Sequence, residues 1–125
     1  MNFPENLKYT ESHEWVKVDG DVVTIGITDY AQEELGDVVF VDIPEARAVD
    51  AEEAFGSIEA VKTVSDLIAP VAGTITEINP ALEGSPEIVN SDPYGEGWMV
   101  KMTIENADAL SDLLDAEKYK SLIGK

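Results

Sequence analysis

Apolar and polar residues alternate most clearly in the first quarter of the chain. The stretches Glu14–Val18 and Asp21–Ile27 carry valine or isoleucine at alternate positions, a pattern typical of strands with one buried face. Asp19-Gly20 lies between them and can supply the positive φ angles that a two-residue hairpin turn requires. The pattern therefore predicts a β-hairpin over residues 14–27.

Three later segments predict further strands. They are rich in β-branched or alternating apolar residues and end at proline or turn residues. These segments are Asp37–Ile43, Val71–Ile78 and Trp98–Ile104.

One short internal helix is predicted over Asp29–Leu35. Thr28 can cap its N-terminus, Asp29 suits the positive end of the helix dipole, and Gly36 provides an αL stop.

The C-terminal segment 106–123 predicts a helical tail packed on the rest of the chain. Asn106 and Asp115 can each cap a helical stretch, and Gly124 can end the second one. The apolar residues expected to point inward are Leu110, Leu113, Leu114, Tyr119, Leu122 and Ile123.

The remaining segments predict surface connections. Residues 1–12 are polar, residues 45–53 carry four carboxylates, and residues 81–97 are dense in turn residues with one short extended piece at Ile88-Val89. We expect residues 1–125 to form a single, mainly β domain with one short internal helix and a helical tail.

The stretch Phe55–Pro70 contains Lys62, the one basic residue between Arg47 and Lys101. Apolar residues in this stretch recur at a spacing of three, which could indicate an amphipathic helix. Gly56, four β-branched residues and the terminal proline argue against a helix. We therefore predict strand, tight turn and strand, with Lys62 near the tip.

Composition excludes several classes of function. The formal charge of −18 and a pI near 4.1 repel nucleic acid and anionic membrane surfaces. The absence of cysteine excludes disulfides, thiolate nucleophiles and cysteine-ligated metals, and it fits a cytoplasmic protein. The N-terminal residues show no transit pattern, and no apolar run is long enough to span a bilayer.

Catalytic motifs are not recognisable in the sequence. His13 is the single histidine, so a multi-histidine metal site cannot form. A Ser-His-Asp arrangement would have to use His13, with no second histidine available. No glycine-rich phosphate-binding loop occurs. Lys62 then has two interpretations: a lysine that lays its methylenes over apolar neighbours, or a tether for a covalently attached cofactor.

Four blocks of sequence carry a resemblance that covers nearly the whole chain. They are Tyr9–Val16, Gly26–Val41, Ser57–Gly73 and Val89–Trp98. With these four blocks in this order, the chain resembles the H protein of the glycine cleavage system. The resemblance implies a lipoyl-type barrel-sandwich fold and lipoate in amide linkage on Lys62.

The resemblance also implies a carrier without catalytic activity of its own, and a set of partners. The lipoyl arm would take the aminomethyl group of glycine from a pyridoxal-phosphate glycine decarboxylase (P protein). An aminomethyltransferase (T protein) would pass it to tetrahydrofolate, and a dihydrolipoyl dehydrogenase (L protein) would reoxidise the arm. A lipoate ligase or lipoyl transferase would attach the cofactor, and the carrier is expected to be a cytoplasmic monomer of bacterial type.

Particular residues inherit roles from the resemblance. Glu59 and Gly73 stand at positions thought to be read by lipoylating enzymes in the family. The loaded arm is thought to fold into a surface cleft, and the residues at matching positions are Ser12, Glu14, Glu34 and Asp66. Position 34 departs from the family, since some members have histidine there.

Other carriers and other tasks give alternative interpretations. Biotinyl lysines are typically flanked by methionines, and dehydrogenase lipoyl domains place Asp before the lysine, whereas Val61 and Thr63 flank Lys62. Two further roles stay open: a lipoyl donor for other lipoylated enzymes, and an acidic binding module without modification. Such a module would leave Lys62 an ordinary exposed lysine.

Overall fold

The computed structural model describes residues 3–124, which form two antiparallel β-sheets with short helices. The six-stranded sheet has the order β1-β2-β3-β9-β8-β5, and the three-stranded sheet has the order β4-β6-β7. In chain order the elements are β1 (Lys8–Tyr9), β2 (Glu14–Asp19), β3 (Val22–Ile27), α1 (Asp29–Leu35), β4 (Val38–Asp42), β5 (Ala48–Val49), β6 (Ala54–Ala60), β7 (Val64–Ile68), β8 (Gly73–Ile78), α2 (Ala81–Gly84), α3 (Ile88–Ser91), β9 (Val100–Thr103), a 3₁₀ helix (Ala107–Asp112) and α4 (Ala116–Ile123).

Both sheets contribute to one hydrophobic core. Ile25 and Met102 from the six-stranded sheet belong to the same buried cluster as Ile58 and Leu67 from the three-stranded sheet. A second, smaller cluster joins the N-terminal segment to α4 and consists of Leu7, Tyr9, Trp15, Ala116 and Tyr119. Burial of these side chains supplies the main favourable term in folding.

The predicted hairpin, strands and internal helix are confirmed. Strands β2 and β3 pair in register, with Asp19 opposite Val22, so the two turn residues are Gly20 and Asp21 rather than Asp19 and Gly20. Thr28 caps α1, since its Oγ1 accepts a hydrogen bond from the backbone N–H of Ala31 at 3.1 Å.

The end of α1 differs from the prediction in one respect. Gly36 has φ 82° and ψ −159°, which lies outside the αL region that we expected. This combination is populated almost only by glycine. The sequence therefore identifies the residue that ends the helix but not the direction in which the chain leaves it.

Three of the predicted surface connections are wrong in part. The N-terminal segment is not simply a surface loop, because Leu7 and Tyr9 are buried and β1 pairs with β2; Met1 and Asn2 lie outside the described residues. Residues 45–53 include β5, which pairs with β8 and buries Val49. Ile88-Val89 is helical rather than extended, since it begins α3.

The C-terminal segment is helical in two parts, as predicted, with Asn106 and Asp115 as caps and Gly124 in the αL conformation. Leu114 lies beyond the 3₁₀ helix and exchanges two backbone hydrogen bonds of 2.8 Å with Tyr9. The prediction for Leu122 is wrong because its side chain is half exposed.

Candidate functional site: the Lys62 hairpin and its adjoining cleft

Lys62 occupies the turn between β6 and β7, as predicted. The backbone N–H of Ala60 donates to the carbonyl of Thr63 at 2.9 Å, and this bond closes the turn around the lysine. Val61, Lys62 and Thr63 are all exposed. The amine is therefore displayed at the tip of a short, hydrogen-bonded hairpin.

The tip is also fastened to the turn between α1 and β4. The N–H of Val61 donates to the carbonyl of Asp37 at 2.9 Å. A Cβ at Gly36 would stand 3.3 Å from Cε and 3.4 Å from Cδ of Lys62. The aliphatic stem of the lysine therefore lies against the bare backbone of Gly36.

Asn90 of α3 holds this turn in place from the other side. Its Oδ1 accepts a hydrogen bond from Val38 N–H at 2.8 Å, and its Nδ2 donates to the Gly36 carbonyl at 2.9 Å and to Gln32 Oε1 at 3.0 Å. Val38 is buried, so its N–H depends on this partner. The sequence does not indicate this role of Asn90, because a single asparagine among turn residues carries no sign of its distant partners.

A cleft of about 290 Å³ adjoins the hairpin. It brings together all four residues assigned to a cleft by the resemblance: Ser12, Glu14, Glu34 and Asp66. The rest of the lining is mainly apolar or aromatic and includes Ile27, Tyr30, Ala31, Leu35, Ile58 and Leu67, together with His13 and Ser65. An apolar channel with acidic groups suits an aliphatic arm that ends in a cationic amine.

Glu14 is the most deeply buried acidic group of the cleft, with 2% of its surface exposed. Its Oε1 accepts a hydrogen bond of 2.7 Å from Thr10 Oγ1. Burial raises the pKa of Glu14 to about 8, although hydrogen bonds from the Thr10 side chain and the Ile68 backbone act in the opposite direction. Near neutral pH the protonated, neutral form of the Glu14 carboxyl group is therefore favoured.

His13 lies beside Glu14 and lines the same cleft. Its φ of 70° is unusual for a residue with a side chain. Its Nδ1 shares a hydrogen bond of 2.9 Å with the Tyr119 hydroxyl, which also bonds Thr28 Oγ1 at 2.8 Å. Burial lowers the pKa of His13, so its neutral form is favoured. The hydrogen bond between His13 and Tyr119 links α4 to the residues that line the cleft.

A second cavity of about 370 Å³ shares Ser12 and Glu14 with the cleft. Its lining includes residues of the segment after β7 and of the 3₁₀ region, among them Ala69, Pro70, Leu113 and Leu114. A change at either Ser12 or Glu14 would therefore alter the lining of both cavities. No pattern in the sequence indicates this second cavity.

The two residues assigned to lipoylation recognition do not lie in the cleft lining. Glu59 is exposed on β6, opposite Val64 of β7. Gly73 begins β8 in the other sheet, where a Cβ would overlap the carbonyl oxygen of Thr103 and stand 2.8 Å from Met102 Sδ. Glycine is therefore required for close packing of β8 against β9, and its recognition role stays a prediction.

The comparison with protein families decides the classification. Residues 7–125 match the family model described as "Glycine cleavage H-protein". The chain belongs to the glycine cleavage H-protein family. A member of this family is a lipoyl-carrier component of the glycine cleavage system and not itself an enzyme.

Individual H proteins match over almost their full length. The chain is 62% identical over 124 residues to the glycine cleavage system H protein of Bacteroides fragilis, with 98% of each chain covered. It is 57% identical over 126 residues to the H protein of Staphylococcus carnosus, with 100% of each covered. The crystal structure of a glycine cleavage system H protein from Mycobacterium marinum is similar with a TM-score of 0.86 and 40% identity, covering 98% of this chain and 100% of that one.

These comparisons confirm the predicted fold class, a mainly β H-protein fold with two sheets and few helices. Within residues 3–124, no cluster of three or more histidine, cysteine or acidic residues is suited to hold a metal ion. No helix in that described range is long and apolar enough to cross a membrane.

Proposed function

We propose that Lys62 carries lipoate in amide linkage and that the arm shuttles the aminomethyl group of glycine. The observation that carries this proposal is the position of the lysine. Its amine is exposed at a fastened hairpin tip, and its stem runs along Gly36, the residue next to cleft-lining Leu35. An arm built on Lys62 has a short path into the cleft.

The residues around Lys62 fit such an arm. When bound, lipoate supplies a dithiolane that accepts the one-carbon cargo on sulfur and takes up electrons. Ile58, Leu35 and Leu67 offer an apolar surface to its aliphatic chain, and Ser12 offers a polar group. No thiol of the protein competes with the sulfurs of the arm, since the chain has no cysteine.

The acidic groups of the cleft would hold the amine of the cargo. Burial favours the neutral form of Glu14 near pH 7, and a protonated amine nearby would favour its ionised form. Asp66 and Glu34 border the same space and are both exposed. A cation would therefore be stabilised by one buried carboxylate and by outer acidic groups.

Four partner activities follow from this role. Glycine decarboxylase would load the arm, aminomethyltransferase would unload it, and dihydrolipoyl dehydrogenase would reoxidise it. A lipoate ligase or lipoyl transferase would attach the cofactor to Lys62. The charge of −18 supports docking onto basic surfaces of these enzymes.

We also propose that residues 1–125 act as one monomeric domain with segment 106–123 packed on it. The backbone bonds between Tyr9 and Leu114 support this packing. The rings of Tyr9 and Tyr119 also stack with centroids 4.9 Å apart. The named relatives come from bacteria, and the cytoplasm is the compartment that we expect.

Intact-mass measurement tests the central proposal. The chain is incubated with a purified lipoate–protein ligase, lipoate and ATP, alongside Lys62→Arg and the control Lys17→Arg, which changes another exposed lysine. We expect one lipoyl adduct on the wild type and on Lys17→Arg, and none on Lys62→Arg. An adduct that persists in Lys62→Arg would overturn the proposal.

A further inference from the structure

The hydroxyl group of Thr10 makes three hydrogen bonds in the short connection from β1 to β2. Its Oγ1 accepts from the backbone N–H of Ser12 at 3.2 Å and from the backbone N–H of Glu14 at 3.1 Å. The same hydroxyl donates to Glu14 Oε1 at 2.7 Å. Because a hydroxyl group has two acceptor lone pairs and one proton, the hydrogen-bonding capacity of Thr10 is fully used.

These bonds fix the direction of the hydrogen bond between the Thr10 and Glu14 side chains. Both lone pairs of Oγ1 already receive backbone N–H groups, so Oγ1 has no lone pair left for a proton from the carboxyl group. Oε1 of Glu14 must therefore be the acceptor. When the carboxyl group is protonated, its proton consequently lies on Oε2.

The backbone sets the position of the Thr10 hydroxyl relative to the Glu14 carboxyl group. Thr10 N–H donates to the Glu14 carbonyl at 3.0 Å, and His13 N–H donates to the Thr10 carbonyl at 3.1 Å. Next to this connection, Tyr9 of β1 pairs with Trp15 of β2. The contact between the two side chains is therefore part of a closed, hydrogen-bonded loop.

Thr10 acts on the cleft only through Glu14. Thr10 lines the second cavity and is not part of the cleft lining, whereas Glu14 lines both. The titratable groups that surround Glu14 are His13, Tyr30, Glu34 and Asp66 in the cleft, Tyr9, Glu11, Glu52 and Asp112 in the second cavity, and Tyr119 on α4. Within the described part of the chain, the hydrogen bond that Glu14 receives from a side chain comes from Thr10.

We infer that Thr10 is a positioning residue for Glu14: its hydroxyl group keeps Oε1 as an acceptor and leaves Oε2 as the atom that gives up the proton when a cargo amine binds. The inference rests on the proposed function, in which Glu14 holds that amine. A neutral amine would take the Oε2 proton with its lone pair and become an ammonium ion. An ammonium ion would displace the same proton to solvent. In both cases the bond from Thr10 remains and stabilises the carboxylate that forms.

Thr10→Val and Thr10→Ser test the inference as a pair. Valine keeps the branched shape and removes the hydroxyl group, whereas serine keeps the hydroxyl group. Thr24→Val is the matched control, since Thr24 is also half-buried but lies on β3 and lines neither cavity. The pKa of Glu14 is measured by carbon NMR on the chain without lipoate, and the lifetime of the aminomethyl-loaded arm is followed by mass. Urea unfolding checks that each variant is folded.

We expect Thr10→Val to raise the pKa of Glu14 further, because it removes a donor that favours the ionised form. It should also shorten the lifetime of the loaded arm several-fold at neutral pH, because a less ionised Glu14 holds the amine more weakly. Thr10→Ser should restore both properties, and Thr24→Val should change neither. An unchanged pKa in folded Thr10→Val, a raised pKa with an unchanged lifetime, or equal effects of valine and serine would overturn the inference.

A neutron crystal structure of the wild type gives a readout that does not depend on the folding of a variant. It is determined from crystals in heavy water near pH 6, where burial keeps Glu14 protonated. Deuterium on Glu14 Oε2, with the Thr10 deuterium directed at Oε1, would support the inference, and deuterium on Oε1 would overturn it while leaving the proposed function intact. Failure of the wild-type chain to accept lipoate would overturn the proposed function and the role of Thr10 in it.

Discussion

The aliphatic stem of Lys62 lies against the backbone of Gly36, close enough that a Cβ there would stand 3.3 Å from the Cε atom. Gly36 also has φ 82° and ψ −159°, a conformation that strongly favours glycine. A Cβ at this position would in addition crowd the exposed lysine stem, which would have to move by a few tenths of an ångström. The crowding can be tested by comparison with another glycine that has positive φ but open space around it.

Gly36→Ala should move the Lys62 side chain, whereas Gly20→Ala should not. Both glycines have positive φ, but a Cβ at Gly20 would meet nothing within 4 Å. We expect each substitution to cost about 1–2 kcal/mol of stability through backbone strain. Only Gly36→Ala should remove the nuclear Overhauser contacts between the Lys62 methylenes and residue 36. Retention of those contacts in Gly36→Ala would contradict the prediction.

Asn90→Ala should destabilise the turn that holds the hairpin tip. It leaves the buried Val38 N–H without its partner, which we expect to cost about 2 kcal/mol or more. Amide hydrogen exchange at Val61 should accelerate, because its acceptor Asp37 lies in that turn. Asn106→Ala, which removes an exposed helix cap, is the control: it should cost about 1 kcal/mol and leave exchange at Val61 unchanged.

Glu14 should make the stability of the protein fall as pH rises. Burial raises its pKa from an ordinary value of 4.5 to about 8 in the folded state, so between these values the folded chain holds a proton that the unfolded chain has released. Relative to Glu14→Gln, the wild type should lose about 1.4 kcal/mol per pH unit within this window. Below pH 4.5 the carboxyl is protonated in both states and the dependence ends.

Urea unfolding of the wild type and Glu14→Gln at pH 5.5, 6.5 and 7.5 measures this difference. Other titrating groups, His13 among them, are present in both proteins and cancel in the comparison to a first approximation. A constant difference across the three pH values would show that Glu14 is not held neutral by burial.

Glu14→Gln and Asp66→Asn should each shorten the lifetime of the aminomethyl-loaded arm. Both remove a carboxylate that can stabilise a protonated amine in the cleft, and we expect a several-fold effect from the buried Glu14. Asp42→Asn is the matched control, since Asp42 is exposed on the same sheet but does not line this cleft. Decay is followed by mass; equal lifetimes in all four proteins would remove both residues from the role.

Tyr119→Phe should remove the hydrogen bonds that hold His13 at the cleft but preserve the packing of α4. It deletes the hydroxyl that bonds both His13 and Thr28 but keeps the ring stacked on Tyr9. We expect a stability loss of about 1–2 kcal/mol, and Tyr119→Leu, which also removes the ring, should lose clearly more. The loss of the hydroxyl is separated from the loss of the ring by NMR: Tyr119→Phe should change the backbone chemical shifts of His13 although the ring is retained.

The local elements could be predicted because their signals are short in range. A Gly residue in a tight turn, a threonine before a helix and β-branched residues in a strand act through their own backbone or nearest neighbours. The Lys62 hairpin was predicted correctly for this reason, even though its spacing of three also matches a helix. Gly56 and the β-branched residues outweighed the periodicity.

The misplaced elements depend on contacts between distant parts of the chain. Tyr9 is held by Leu114, more than a hundred residues later, and the N-terminal segment alone gives no sign of that partner. Val49 is buried only because β5 joins the edge of β8. Gly73 lies within a predicted strand, but its need for glycine arises from the proximity of Thr103 on another strand, which the sequence does not reveal.

The cleft could be anticipated only through the resemblance. Ser12, Glu14, Glu34 and Asp66 are dispersed over three elements and their connections, and no spacing rule unites them. The resemblance nominated all four, and the fold gathers them around one space. The neutral form of Glu14 could not be predicted from sequence because it results from burial in the folded state. The hydrogen bond between His13 and Tyr119 could not be predicted because it joins residues that are distant in the chain.

The hydrogen bond from Val61 N–H to the Asp37 carbonyl has a consequence for how several enzymes could bind one attached arm. It anchors the backbone beside Lys62, so the swing of an attached arm is confined to the rotatable bonds beyond the lysine Cα. The attachment point of a lipoyl arm on Lys62 would then be held against the body of the protein. The partner enzymes of such an arm would have to bind it one at a time, and the sequence of binding would be set by their association and dissociation rates.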